Sequence, residues 1–243
     1  MNGPGVDGRR VRGVVFDLDG TLVDSAAAHR AALRVALARF PGPGPAPSAA
    51  RLRVAEGATD RATLVNLLGE RGAEAALSVY QDALAAAWDS APGGAMPGAL
   101  RMVERLRASG LALGVCTGRS RSSAELLLRS AGIRLSLLVA REDAAREKPA
   151  PEGLTRAVAL LGLRAAEAAF VGDTAADAAQ GAAARVRTFV VTGEGVPPPG
   201  HALRLHRLAD LPRQLGLHDP PPADRSAPSL PTLVRNTGTS KGE

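Results

Sequence analysis

Five short apolar runs frame the chain: VRGVVF at 11–16, LALGVC at 111–116, LSLLVA at 135–140, AAFVG at 168–172 and TFVV at 188–191. Their apolar residues are consecutive rather than alternate, so strands made from them are covered on both faces. From 111 onward they alternate with segments of helical periodicity at 97–109, 120–131, 151–162 and 175–184. Doubly covered strands alternating with helices predict an α/β fold with a Rossmann-like parallel sheet core.

The interval between the first two runs far exceeds the roughly dozen residues of a simple crossover. It carries helical patterns at about 26–39, 60–71 and 73–88, broken by PGPGPAP at 41–47, and no strand pattern. An inserted all-helical cap domain is therefore expected over 25–93, with a catalytic core formed from 11–24 and 94–217. The flanking segments VDS and SAPGGAMPG would serve as hinges. Residues 218–243 are rich in Pro, Ser and Thr with little to bury, and are expected to form a disordered tail.

Composition narrows the function classes. The chain is 45% hydrophobic but only 2% aromatic, so the core must be built from Ala, Leu and Val. A formal net charge of +6 comes from arginines scattered through helical stretches without a dense basic block, which reads as solvated surface and not as a nucleic-acid interface. The lone cysteine, Cys116, excludes an internal disulfide, fits a reducing compartment and lies in an apolar run where packing explains it. No stretch of about 18 consecutive apolar residues is present and MNGPGVDGRR lacks an apolar signal core, so a cytoplasmic protein without a membrane partner is expected.

In a parallel α/β sheet, ligands gather at the carboxyl ends of the strands. Asp17 and Asp19 follow the first run, Thr117 and Gly118 the second, Lys148 lies in the loop beyond the third, and Asp173 and Asp177 follow the fourth. Residues two apart on an extended chain point the same way, so Asp17 and Asp19 face the crevice while Leu18 returns to the core, and Gly20 turns the backbone away. Carboxylates that close repel unless a cation lies beside them, and Asp173 at a neighbouring strand end would complete an oxygen site suited to magnesium. An aspartate in such a setting can also act as a nucleophile toward phosphorus.

Taken together, DLDGT at 17–21, Thr117, KPAPEGL at 148–154 and GDTAAD at 172–177 resemble the four motifs of the haloacid dehalogenase superfamily, in order and at suitable spacing, over roughly residues 11–215. A helical insertion directly after the first motif is similar to the phosphoglycolate phosphatase and β-phosphoglucomutase-like branch. The resemblance implies that Asp17 is the nucleophile and Asp19 the general acid and base. Thr117 and Gly118 would bind phosphoryl oxygens, and Lys148 would neutralise charge shared by Asp17 and the phosphoryl group. Asp17, Asp19 through its backbone carbonyl, and Asp173 would hold Mg2+, with Asp177 beside them orienting Lys148 or a metal-bound water. Among 30 basic residues only Lys148 and Lys241 are lysines, so a lysine at 148 is not background usage.

The implied activity is a Mg-dependent phosphatase acting on a small phosphorylated metabolite through an aspartyl-phosphate. The alternatives are a sugar phosphomutase and a non-catalytic binding protein. Phosphonate-cleaving relatives and mutases use a cap lysine, which residues 25–93 lack, and dehalogenases lack the second aspartate present here as Asp19. Within the insert, His29 is a candidate substrate contact, with a partly exposed helix histidine as its structural rival, and Arg53 and Arg61 are weaker anion-binding candidates. Asp24 and Ser25 read as helix caps, and Tyr80 and Trp88 as internal packing. The stretch QGAAARVRT stands where a more usual Ala-Gly pair would turn the fourth motif's helix toward its strand, which leaves that turn open.

Overall fold

The computed structural model describes residues 10–41, 60–90, 93–193 and 197–217. Among them, β1 (Gly13–Phe16), β2 (Ala112–Cys116), β3 (Leu137–Val139), β4 (Ala168–Gly172), β5 (Arg187–Val191) and β6 (Leu203–Leu205) form a parallel sheet in the order β3-β2-β1-β4-β5-β6. The chain builds outward from β1 in one direction through β2 and β3, then in the other through β4, β5 and β6. This reversal places the topological switch beside β1, where a crevice opens at the carboxyl edge. Phe16 is in register with Val115 of β2 and Val171 of β4, so Asp17, Thr117 and Asp173 leave the sheet at one edge within two residues of register.

Alternation along β1 sends Val14 and Phe16 to one face and Val15 to the other. On the first face they join Leu113, Val115 and Val171 beneath α3 (Ala99–Ala108) and α4 (Arg121–Ser130). On the second, Val15, Cys116, Val139 and Phe170 pack against Leu154, Ala157 and Val158 of α5 (Glu152–Leu160). Helix α6 (Ala175–Ala183) follows β4, and α7 (Leu211–Gln214) follows β6. Strand β6 was not legible as an apolar run, because LRL is a short edge strand with only Leu205 buried.

The insert consists of α1 (Ala26–Arg39) and α2 (Asp60–Ser90), with no strand among its described residues. Ala28, Ala32, Leu33 and Ala36 of α1 pack on Leu64, Ala73, Ala76, Tyr80 and Leu84 of α2. Small residues let the helices approach closely, and Tyr80 and Trp88, fully or almost fully buried, supply the bulk. Two helices were expected across 60–88, and the break between them is Gly69, whose φ of 75° and ψ of 170° interrupt the helical path. A positive φ of that size suits glycine.

The two tethers of the insert run together. Asp24 N donates to Gly94 O at 3.0 Å, Met96 N donates to Leu22 O at 2.8 Å, and Val23 bridges Ala95 in antiparallel fashion. No described helix is long and apolar enough to cross a membrane. Arg53, most of the Pro-Gly stretch and the tail beyond 217 lie outside the described residues.

Candidate active site

Two corners meet at the sheet edge, and the first is built around Lys148. Its Nζ lies 2.5 Å from Asp17 Oδ1 and 2.7 Å from Asp177 Oδ1. The second oxygen of Asp177 accepts from the Thr174 hydroxyl at 2.6 Å and from the backbone N–H groups of Thr174 and Asp173 at 3.1 and 3.3 Å. Asp177 N donates back to Thr174 Oγ1, which closes a capping box at the start of α6. Asp177 thus satisfies a helix end with one oxygen and holds Lys148 with the other. Gly172 permits this folding back, since a Cβ there would lie 2.4 Å from Asp177 Cβ.

Charge is out of balance in this corner. Burial pushes the Asp17 carboxyl well above its ordinary value, and Asp177, Asp173 and Asp19 add to the rise against the opposing pull of Lys148. Asp173 is pushed up to about 7 by burial and by Asp177, against hydrogen bonding from Thr21 Oγ1 at 3.1 Å and the attraction of Lys148. Asp177 goes the other way: burial acts to raise it, but Lys148 and the Thr174 hydrogen bonds hold it low. Burial alone would depress Lys148, yet Asp17 and Asp177 raise it, so the ammonium persists.

Ligand oxygens of Asp17, Asp173 and Asp177 lie within 4.8 Å of one another. Three carboxylates against one ammonium fit a hard divalent cation taking oxygen ligands. Both Asp177 oxygens are engaged by Lys148 and the helix cap, so Asp17 and Asp173 are the carboxylates best disposed to receive it. The Asp19 carboxylate turns elsewhere, leaving its backbone carbonyl as the group it could offer.

That second corner contains Arg119, which the sequence reading did not single out. Its Nε lies 2.8 and 2.7 Å from the two Asp19 oxygens, and Nη2 lies 2.7 Å from Oδ1. Its Nη1 reaches across to the insert, 3.2 Å from Asp60 Oδ1 and 3.2 Å from Tyr80 Oη. Tyr80 Oη donates to Asp60 at 2.9 Å and lies 2.6 Å from His29 Nδ1. Burial would raise the Asp19 carboxyl, but Arg119 and the Ser25 hydroxyl hold it below the usual carboxylate value. Burial pushes Asp60 and Tyr80 up. The available signal for Arg119 was position: it stands two residues after Thr117, at the carboxyl end of β2.

Other expectations are revised here. Ser25 precedes α1 but makes no side-chain cap bond; its hydroxyl instead donates to Asp19 Oδ1. Asp24 accepts weakly from Ala26 N at 3.4 Å. His29 is buried, not partly exposed, because its helix face packs on α2 and its ring meets that of Tyr80 edge-on, with centroids 5.7 Å apart. Tyr80 is interior as expected, but its hydroxyl belongs to the Arg119 network. Arg61 faces outward, paired with Glu70 at 2.5 Å. Thr117 is buried, its Oγ1 accepting from Arg119 N at 3.2 Å, and Gly118 is beside it. A cavity of about 150 Å³ joins the corners, bounded by the sheet-edge groups and by Ser25, His29 and Asp60 of the insert.

The sequence from 11 to 185 matches the model of a hydrolase family, the haloacid dehalogenase-like hydrolases. The chain belongs to this family. Phosphoglycolate phosphatase from Rhodospirillum rubrum is 34% identical to it over 192 residues, covering 74% of this chain and 79% of that protein. Phosphoglycolate phosphatase from Yersinia pseudotuberculosis is 30% identical over 227 residues, covering 86% of this chain and 95% of that one. Among solved structures, CbbY from Rhodobacter sphaeroides in complex with phosphate superimposes with a TM-score of 0.72 at 19% identity, over 83% of this chain and 96% of CbbY. At that identity the likeness is one of fold.

Proposed function

We propose that this hydrolase is a Mg2+-dependent phosphatase that cleaves a small phosphate monoester through an aspartyl-phosphate on Asp17. The observation that carries this reading is the Asp17–Lys148–Asp177 chain of contacts at the switch point, with Asp173 alongside. Lys148 occupies one Asp17 oxygen, and the second oxygen is the nucleophile. It bonds to phosphorus as the bond to the substrate's alcohol oxygen breaks; Asp19, a carboxylate before substrate binds, relays to that leaving oxygen a proton brought in by the monoanion of the phosphate monoester. Asp19, now a carboxylate, removes a proton from water as the water attacks the same phosphorus. The proton taken up by Asp19 leaves with inorganic phosphate, and Asp17 and Asp19 both return to carboxylates.

Thr117 Oγ1 and the Gly118 N–H would receive phosphoryl oxygens, and Lys148 would neutralise charge between them and Asp17. Magnesium held by Asp17, Asp173 and the Asp19 backbone carbonyl would add further stabilisation of phosphoryl charge. A cavity of about 150 Å³ is smaller than the roughly 300–1,000 Å³ of drug-sized sites and favours a small alcohol. The names of the two phosphatase relatives support a substrate of the phosphoglycolate kind.

Purified protein assayed against a panel of phosphorylated metabolites should release inorganic phosphate with Mg2+ present and none in excess chelator. Asp17→Asn should fold normally and lose turnover. Absence of turnover across the panel, or substantial activity in the Asp17→Asn variant, would overturn the reading.

A further inference from the structure

The three nitrogens of Arg119 join pieces of chain that are remote in sequence. Asp19 belongs to the turn after β1, Arg119 follows β2, and Asp60 and Tyr80 belong to α2 of the insert. The guanidinium is buried, and each nitrogen already has a partner: Nε and Nη2 on Asp19, Nη1 on Asp60 and Tyr80. Its fork is side-on to the Asp19 carboxylate, an arrangement that restricts rotation of the carboxylate as well as its distance. Arg119 borders the cavity, but with its donors committed to Asp19, Asp60 and Tyr80 it has none left to offer a substrate.

Stability alone is a poor account of this arrangement. Two charges removed from water recover little more than their desolvation cost, and well-packed apolar groups of similar volume commonly do as well. What a planar, doubly anchored guanidinium provides is direction. One end grips the carboxylate that handles the proton, and the other is seated on a phenol and a carboxylate of the cap.

We propose that Arg119 is a positioning residue for Asp19, itself aimed by Asp60 and Tyr80, so that the seating of the cap sets the orientation of the acid-base group. The proposal rests on the phosphatase reading, in which Asp19 exchanges the proton. The cap then does more than enclose the crevice: it completes the proton-transfer geometry through a cavity-wall residue whose donors are already taken up by Asp19, Asp60 and Tyr80.

Tyr80→Phe is the cleanest probe, because the hydroxyl is removed, the ring still fills the cap interior, and Tyr80 does not bound the cavity. Its kcat should fall about three- to tenfold, the scale of one hydrogen bond, with KM within about twofold of wild type. Arg119→Met should lose on the order of 10²-fold in kcat, and Arg119→Lys, which keeps the charge without the fork, should be intermediate. Tyr80→Phe added to Arg119→Lys should cost less than it does alone, since the hydroxyl would act through the fork. Circular dichroism and melting curves identify variants that do not fold, and Tyr80→Phe carries the test if Arg119→Met is one of them.

Unchanged kcat in folded Tyr80→Phe, additive losses, or a rise in KM at constant kcat on changing Arg119 would overturn the positioning role while leaving the phosphatase reading intact. A wild-type protein without turnover on any phosphate monoester would remove both.

Discussion

A methyl group placed on Gly20 would lie 2.2 Å from Asp173 Oδ2, so the turn after β1 and the carboxylate after β4 meet through an absent side chain. Gly20 also has a φ of 71°, a conformation that costs other residues about 1–2 kcal/mol. Gly20→Ala should therefore strain the turn and push Asp173 away from Asp17. The concentration of Mg2+ giving half-maximal activity should rise more than about tenfold, in keeping with the demand of magnesium for close octahedral geometry. A magnesium titration that matches wild type would show that Asp173 does not hold the ion.

Removing Lys148 leaves Asp17 and Asp177 facing each other without their shared cation. Lys148→Met should lower kcat by about 10²–10³-fold, the usual effect of losing one group that stabilises transition-state charge. Asp177→Asn keeps a hydrogen-bonding group at the α6 cap but weakens the hold on Lys148, so a smaller fall, about tenfold, is expected. Steady-state phosphate release distinguishes these orders, and equal losses in the two variants would assign Asp177 a larger part than orienting Lys148.

The raised pKa of Asp173, about 7, gives the metal-free protein a pH dependence of definite sign. A carboxyl raised on folding contributes stability that is fully present below its unfolded value near 3.8 and lost as pH rises through about 7. Asp17, raised by burial, acts in the same direction. Metal-free protein should therefore melt at a lower temperature at pH 8 than at pH 5.5. Added Mg2+ should restore more at pH 8, where it does not compete with the Asp173 proton. Thermal melts at the two pH values with and without Mg2+ check both statements, and a magnesium effect larger at pH 5.5 would contradict them.

Helix α6 ends in a turn whose backbone N–H groups at Val186 and Arg185 donate to Gly181 O and Ala182 O, at 3.0 and 3.1 Å. This is the Schellman pattern, and its left-handed position, with φ of 56°, is held by Arg185 where glycine is usual. Arg185→Gly should relieve about 0.5–1 kcal/mol after the added backbone entropy of glycine is set against the strain. The melting temperature should rise by a few degrees with kcat unchanged, because Asp177 is at the opposite end of the helix. A lower melting temperature would show that the arginine side chain contributes more than its backbone costs.

The sheet was readable because five of its six strands fall on continuous apolar runs; β6, covered by little, reads as polar chain. The polar groups at the strand ends were readable for a related reason, since carboxylates directly after buried strands have few structural uses. Arg119 was not, because an arginine in an arginine-rich chain carries little information until its burial is known. Ser25 illustrates a different loss. Its helix-starting position argues for capping, but a charged acceptor on another turn competes for the same hydroxyl and wins. His29 and Tyr80 depend on how α1 meets α2, a pairing that a pattern of alanines leaves unspecified.

The paired tethers have a mechanical meaning. A helical body joined to a sheet by two separate strings could tumble in three directions, whereas Leu22–Asp24 and Gly94–Met96 are bonded side by side into one short ribbon. Gly93 is pressed against it, with no room for a Cβ beside Asp24 O. A ribbon bends easily about one axis and resists twisting and sideways shear. Rotation about that axle would carry the α2 residues Asp60 and Tyr80 along a single arc, so that a cap returning to the sheet would meet Arg119 in the same register.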